Sequence, residues 1–388
     1  MNLNIRQLLN CLVFALLCSC NQQYRQKYPY CEEFHVLQVA LDETKTSLFD
    51  IFEKIELIPL ETNPESLIKK IYKIKYHNNN LYIFDLQQNA LLFFDYSGKF
   101  LDKIHKIGKG PGEYQLIYDF FIDTIQSQIG MLSPYSAVYH YNFQGDFIKK
   151  TDLPNPPQIY RYMELLSGNR CAFWSRTNGT IKPLNIVSMA TGENVGSFFY
   201  EENSLIEGYC DAFFRDEKGN LYFISGFCND VFIVRPDGYK ISYTWDFGKR
   251  NNNIENYKFP IYKTGERSQV AKKFHQSFMN GESSLFYYFI IQNQTNLFYY
   301  AYLMFPFNKN KHIFYHKQTG KYHFFEHTAE GHSINEPLLM TNEFMLAELD
   351  FEKKELIAPY LLSDKDREIL SNFQEEDNPC LVKYSFKK

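Results

Sequence analysis

Five histidines crowd one short stretch of the chain: His312, His316, His323, His327 and His332. On a helix, His312 and His316 would share a face and could hold a metal ion. Their neighbours, Ile313-Phe314-Tyr315, read instead as a strand, where residues four apart stand about 13 Å apart at roughly 3.3 Å per residue. No single ion bridges that. His316 and His323 face each other across a predicted hairpin, a pair that would still need a carboxylate from elsewhere. Solvated edge histidines are the simpler reading. Gly108-Lys109-Gly110-Pro111-Gly112 has the glycine content of a phosphate cradle, but lacks the GxxxxGK[ST] order and a following helix. It reads as a tight connection. Asp85, Asp95, Asp119 and Asp123 follow or end predicted strands. They serve either turn chemistry or a ring of carboxylates around a channel that would suit calcium or a cationic ligand. The runs Phe286-Tyr287-Tyr288-Phe289 and Leu297-Phe298-Tyr299-Tyr300 offer rings for stacking on sugars, although most must fill a core. No GxSxG or HExxH order occurs. The sequence assigns no catalytic residue, no metal ligand and no cofactor.

The elements that must carry these residues announce themselves through glycine. Gly98, Gly145, Gly192, Gly238 and Gly320 each sit in a short turn between apolar strands, at intervals of 47, 47, 46 and 82 residues. Glycine takes the positive φ that a tight hairpin demands. A period in this range with strand-like flanks is the mark of a β-propeller. The 82-residue interval exposes an insertion at 254–284, whose apolar residues Val270, Ala271, Phe274 and Phe278 follow helical spacing. No sixth glycine appears. Instead Ser363 opens a helix with Asp366 three residues on, and the chain ends in a strand, Cys380–Phe386. An unmatched N-terminal strand, Lys54–Leu60, is its natural partner. The expected fold is all-β: a six-bladed β-propeller closed by N- and C-terminal strands, with a partly helical insertion. Residues 51–388 form the propeller and 20–50 a tether and N-terminal extension, either a tail or an added strand at Phe34–Leu41.

Composition agrees with such a fold. The 388 residues are 45% apolar and 18% aromatic, enough for a large core built from repeats. The net charge of −4 gives no electrostatic support for nucleic acid. Cys31, Cys171, Cys210, Cys228 and Cys380 show no metal-like spacing and read mostly as small buried hydrophobes, a Cys210–Cys228 bridge being the one alternative.

The first residues are an address. Leu8–Leu17 is apolar but too short to span a bilayer. The segment Leu17-Cys18-Ser19-Cys20 resembles the bacterial lipoprotein signal, which implies a signal peptide over 1–19 and lipidation of Cys20, hence a membrane held through acyl chains. Farther on, Leu60-Glu61-Thr62-Asn63-Pro64-Glu65, Gly108–Tyr114 and Asn378-Pro379-Cys380-Leu381-Val382 resemble the six-bladed, NHL-repeat-like β-propeller lipoproteins of Bacteroidetes over about residues 50–388. That resemblance implies a cell-envelope location. With no acidic residue between Cys20 and Glu32, it implies an outer-membrane anchor facing the periplasm. It transfers no catalytic motif. The expected role is a binding module for an envelope protein, peptide or glycan. The alternative is a metal-dependent hydrolase or lyase working at the channel mouth.

Overall fold

The computed structural model describes residues 30–154, 160–175, 182–198, 212–224, 226–254, 257, 266–349 and 351–388. Cys20, the apolar leader, Cys210 and the central part of the 254–284 insertion lie outside the described residues.

Six sheets follow one another around the ring, each built on four antiparallel strands, with a fifth strand added to one of them. Blade 1 comprises Ile71–His77, Asn80–Asp85, Ala90–Asp95 and Phe100–Ile104; blade 2, Asp119–Asp123, Gln128–Ser133, Ala137–Asn142 and Phe147–Asp152. Blade 3 comprises Tyr160–Leu166, Arg170–Ser175, Leu184–Ser188 and Asn194–Phe198; blade 4, Phe213–Arg215, Leu221–Phe223, Asp230–Arg235 and Gly238–Asp246. Blade 5 comprises Tyr288–Gln294, Phe298–Phe305, Lys309–His316 and Tyr322–Phe325. Blade 6 takes Pro337–Met340, Phe344–Leu349 and Cys380–Phe386, and closes with Phe52–Pro59 from the other end of the chain. The closing register pairs Phe52 with Phe386, Leu57 with Val382 and Pro59 with Cys380. The expected ring closure is therefore the one observed.

The middle strands of blade 1 are almost continuously apolar because neighbouring blades cover both of their faces. Leu81–Phe84 and Ala90–Phe94 are buried without alternation. Ile58, Leu346 and Leu381 of blade 6 interlock with Ile74, Ile83 and Leu92 of blade 1. The five marker glycines all have positive φ and all join a third strand to a fourth. At two of them a second constraint appears. A Cβ on Gly98 would lie 2.1 Å from Pro59 O, and one on Gly192 would lie 2.3 Å from Asp152 O. In both cases the obstacle is the outer strand of the preceding blade.

The first strand of each blade lines the axis. It starts on one face of the disc, which therefore receives the blade-to-blade connections and the loops between second and third strands. We call this the insertion face. The opposite hairpin face carries the turns between first and second strands.

Among the described residues, three α-helices decorate the ring. The first, α1 (Leu48–Ile51), leads into the closing strand with Ser47 as a capping box. The second, α2 (Arg267–Met279), is the expected insertion helix, and its predicted apolar positions Phe274 and Phe278 are its buried ones. The third, α3 (Asp364–Asn372), starts at Ser363 as the sequence implied. Asp366 does more than cap it: its carboxylate accepts the Leu57 N–H at 2.9 Å and so fastens α3 to the outer strand of blade 6. The added strand is Tyr30–Gln38, which runs parallel to the outer strand of blade 4 as a fifth strand. Cys171 and Cys380 are buried, as small hydrophobes should be.

Candidate functional site: the channel and the insertion face

The first strands enclose a channel of about 490 Å³. Blade 1 sends two lysines into its wall. Lys73 Nζ lies 2.7 Å from Asp119 of blade 2, and Asp119 also accepts the Met163 N–H of blade 3 at 2.8 Å. Lys75 Nζ reaches 2.5 Å from Glu164 of blade 3, and Arg215 of blade 4 approaches the other oxygen of that carboxylate at 3.4 Å. Arg215 also donates to the carbonyls of Leu165 and Gly219. Burial alone would raise the Glu164 carboxyl; Lys75, Arg215 and Lys73 outweigh it and hold the group down to about 2. These ion pairs tie four consecutive blades together along one side of the channel.

The other side is different. Glu336, at the start of blade 6, lines the insertion-face mouth and stays open to solvent. The surrounding walls still strip enough water from it to push its carboxyl up, against the pull of Lys70. At the hairpin-face mouth, Asn342 donates to Glu217 at 2.8 Å. Near Gln294, Lys317 donates to that residue's amide oxygen at 2.8 Å and sits 4.6 Å from the Tyr299 ring centre. Burial pushes the Lys317 amine down to about 8, although Asp216 and Glu217 oppose it.

Of the four aspartates singled out in the sequence, only Asp119 joins the channel's ion pairs, fully buried behind the wall and paired with Lys73. Asp85 accepts the N–H groups of Lys69, Gln87 and Gln88; Asp95 accepts that of Ser97; Asp123 accepts those of Ile125 and Gln126. These three do turn chemistry. The glycine-rich segment carries its own anion. Glu113 folds back so that its carboxylate accepts the Gly110 N–H at 2.8 Å, while buried Tyr114 donates to Asn89 O at 2.8 Å. The position a phosphate would need is filled by the loop itself.

The histidines scatter rather than converge. His312 and His332 are buried, contrary to the expectation of solvated edge residues. The reason is that His312 is packed between Tyr302 and Phe325, and His332 against Tyr384 of blade 6. His312 bridges Tyr300 Oη at 2.9 Å and Ile334 O at 3.0 Å, and burial pushes its imidazole down to about 4. His332 pairs with Tyr384 Oη at 2.9 Å. His316 and His323 do not form a site: His316 accepts the N–H groups of Gln318 and Thr319, while His323 contacts Thr46. Among the described residues, no three His, Cys, Asp or Glu side chains gather as a metal would require.

The insertion face is built on aromatic packing. Phe227, in a loop of blade 4, meets Phe274 and Phe278 of α2 at 6.1 and 6.5 Å and Tyr288 of blade 5 at 5.1 Å. The end of α2 is fixed by the Phe307 N–H donating to Met279 O at 2.8 Å. Beyond this packing, four rings stay in solvent. Phe286 is 46% exposed, Tyr135 66%, Phe307 68% and Tyr360 68%. Each belongs to a loop between second and third strands or to a blade connection, so all four are carried by segments that leave the ring on its insertion face. Phe286 is the exposed member of the aromatic run noted in the sequence, whereas Tyr287 and Phe289 are core. The other three were not legible as a set, because they are isolated aromatics more than fifty residues apart in sequence.

Fold and channel together define a six-bladed β-propeller. The chain belongs to the family described as a domain of unknown function, DUF4934, whose model matches residues 33–385. No curated protein matches it in sequence. Among solved structures it is similar to a Bacteroides fragilis protein described as exported, at 19% identity and a TM-score of 0.73, over 91% of this chain and all of that one. It is also similar to a member of the DUF4221 family from Bacteroides vulgatus, at 10% identity and a TM-score of 0.51, over 87% of this chain and 97% of that one. At these identities the likeness is one of fold.

Proposed function

We propose that this chain is a cell-envelope binding module, anchored through lipid on Cys20 to the outer membrane and facing the periplasm, which holds a protein, peptide or glycan on its insertion face. The observation that carries this reading is the placement of Tyr135, Phe286, Phe307 and Tyr360, four exposed rings on one face. Amphipathic rings give large contact area at low entropic cost, and they stack on sugars and peptide side chains alike. The channel supports the same reading. Its strongest cations and carboxylates are engaged with one another across blades, which suits a scaffold more than a reactive site. The described export of the Bacteroides fragilis relative supports an envelope location.

Two measurements test it. Cys20→Ala should release the protein from the membrane fraction; equal membrane association would remove the anchor from the account. Phe307→Ala with Tyr360→Ala should deplete what the protein retains from envelope extract, at an unchanged unfolding midpoint. Retention unaffected by this pair would contradict the docking face.

A further inference from the structure

The rim of the disc is covered unequally. The outer strand of blade 4 is paired with the chain's own Tyr30–Gln38. That of blade 5 is covered by the segment that follows, with Thr44 N–H donating to Phe324 O at 2.7 Å. That of blade 6 is held by α3 through Asp366 and Leu57. On blade 1, the Phe100 N–H is taken by Glu61 at 2.9 Å, and on blade 3 Phe198 packs against Tyr239 of blade 4. The outer strand of blade 2, Phe147–Asp152, ends its sheet, as those of blades 1 and 3 also do. It pairs only with Ala137–Asn142, and among the described residues no hydrogen bond from outside its own blade reaches it. Four consecutive residues of it, Phe147, Ile148, Lys149 and Lys150, are exposed.

An unpaired strand edge presents a row of backbone donors and acceptors that a further strand can fill. Lysines on such an edge often serve only to discourage pairing. Here they stand beside exposed apolar groups: Ile148 is 49% exposed, and Phe147 packs edge-on to Tyr141 at 5.9 Å. Lys106 sits 5.7 Å from the centre of the same Tyr141 ring, so a third cation flanks this patch. Lys150 is satisfied within its own strand by Asp152 at 2.6 Å, which leaves Lys149 and Lys106 to meet an incoming carboxylate. The chain shows what such an edge accepts. The strand it adds to blade 4 reads Tyr30-Cys31-Glu32-Glu33-Phe34-His35-Val36, acidic and aromatic, and the edge it joins carries Lys240 and Ile241.

From this precedent and the charge match, we infer that the outer strand of blade 2 is a docking edge for an extended acidic and apolar segment of a partner protein, added as a fifth strand. Backbone pairing supplies the register. Phe147 and Ile148 receive its apolar side chains, and Lys149 and Lys106 receive its carboxylates.

The test uses the full chain in detergent and a labelled nine-residue peptide copying Tyr30–Gln38, with serine in place of cysteine. The peptide should bind, more weakly at high salt, and should slow amide exchange across 147–152. Lys149→Glu with Lys150→Glu should weaken it at least about tenfold. A peptide with both glutamates changed to lysine should bind the wild type poorly and regain affinity for the double variant. Both substituted positions are exposed, so an unchanged unfolding midpoint will show that folding is intact. Failure of the peptide to bind, or indifference to the double variant, would overturn the inference. So would loss of binding in Lys240→Glu alone, which would assign the peptide to blade 4. A dimer dispersed by the double variant would overturn it in favour of a second copy of the chain.

Discussion

The two faces of the disc are made from the same strands and obey different rules. On the hairpin face and along the rim, turns are short, and two of the marker glycines are pressed against the blade before. Backbone sterics leave those positions little freedom. On the insertion face the chain has room. It carries α2, the long segment between 349 and 380, and rings that touch solvent. The difference teaches where this architecture can change without cost: the ring is specified by its turns and its channel, and the insertion face is where side chains are free to be chosen for something other than folding.

The largest expected effect lies in the channel. Glu164→Ala would leave Lys75 and Arg215 without their shared carboxylate in a buried wall. The expected loss is about 3–5 kcal/mol in denaturant unfolding. A loss under about 1 kcal/mol would mean that the blades do not depend on this pairing. The same carboxylate has a pH signature. Its folded pKa lies below the unfolded value, so its contribution is complete above about 4.5 and falls away as pH drops towards about 2. Glu164→Gln should flatten stability over that window.

Next comes the anchor of the insertion. Phe227→Ala removes the ring that joins α2 to blades 4 and 5. About 3 kcal/mol is expected, with amide protection lost over 267–279 and retained in blades 1 and 2. Uniform loss around the ring would show that the insertion is part of the core and not a decoration on it.

The turns give a smaller and more selective effect. Gly98 has φ +90° and no space for a Cβ, whereas Gly219 has φ +75° and nothing within 4 Å. Gly219→Ala should cost about 1 kcal/mol, the penalty of the backbone conformation alone. Gly98→Ala should cost clearly more, because Pro59 must also move. Equal midpoints for the two variants would remove the second constraint on the hairpin.

Two buried histidines add a pH dependence in the milder range. Burial, assisted by Lys149, pushes His140 down to about 4, and burial does the same to His312. Both are neutral in the folded state and take up protons on unfolding below about 6.5. Their contribution is therefore complete above that pH and is lost as pH falls towards 4. His312→Phe should reduce the slope of stability against pH between these values, measured by chemical denaturation.

How much of this could be read from residues alone follows from the range over which each feature is decided. The marker glycines, the Ser363 cap and the helical spacing at Phe274 and Phe278 are local, and the structure follows them. Closure of the ring was legible because one unmatched strand stood at each end. The channel network was not. Lys75, Glu164 and Arg215 come from blades 1, 3 and 4, and only ring closure brings them together; the one local trace is the pair Lys73 and Lys75, two residues apart on the first strand. The histidines misled for the same reason. Their spacing is local, but their burial is set by the connection after blade 5 and by Tyr384 at the far end of the chain.

The central claim is that partners meet the insertion face. A photo-crosslinking residue placed at Phe307 or Tyr360, and in parallel at Ile125 or Lys218 on the hairpin face, tests it in intact cells. The account predicts adducts from the first pair and none from the second. Adducts confined to Ile125 and Lys218, or equal from both faces, would contradict it.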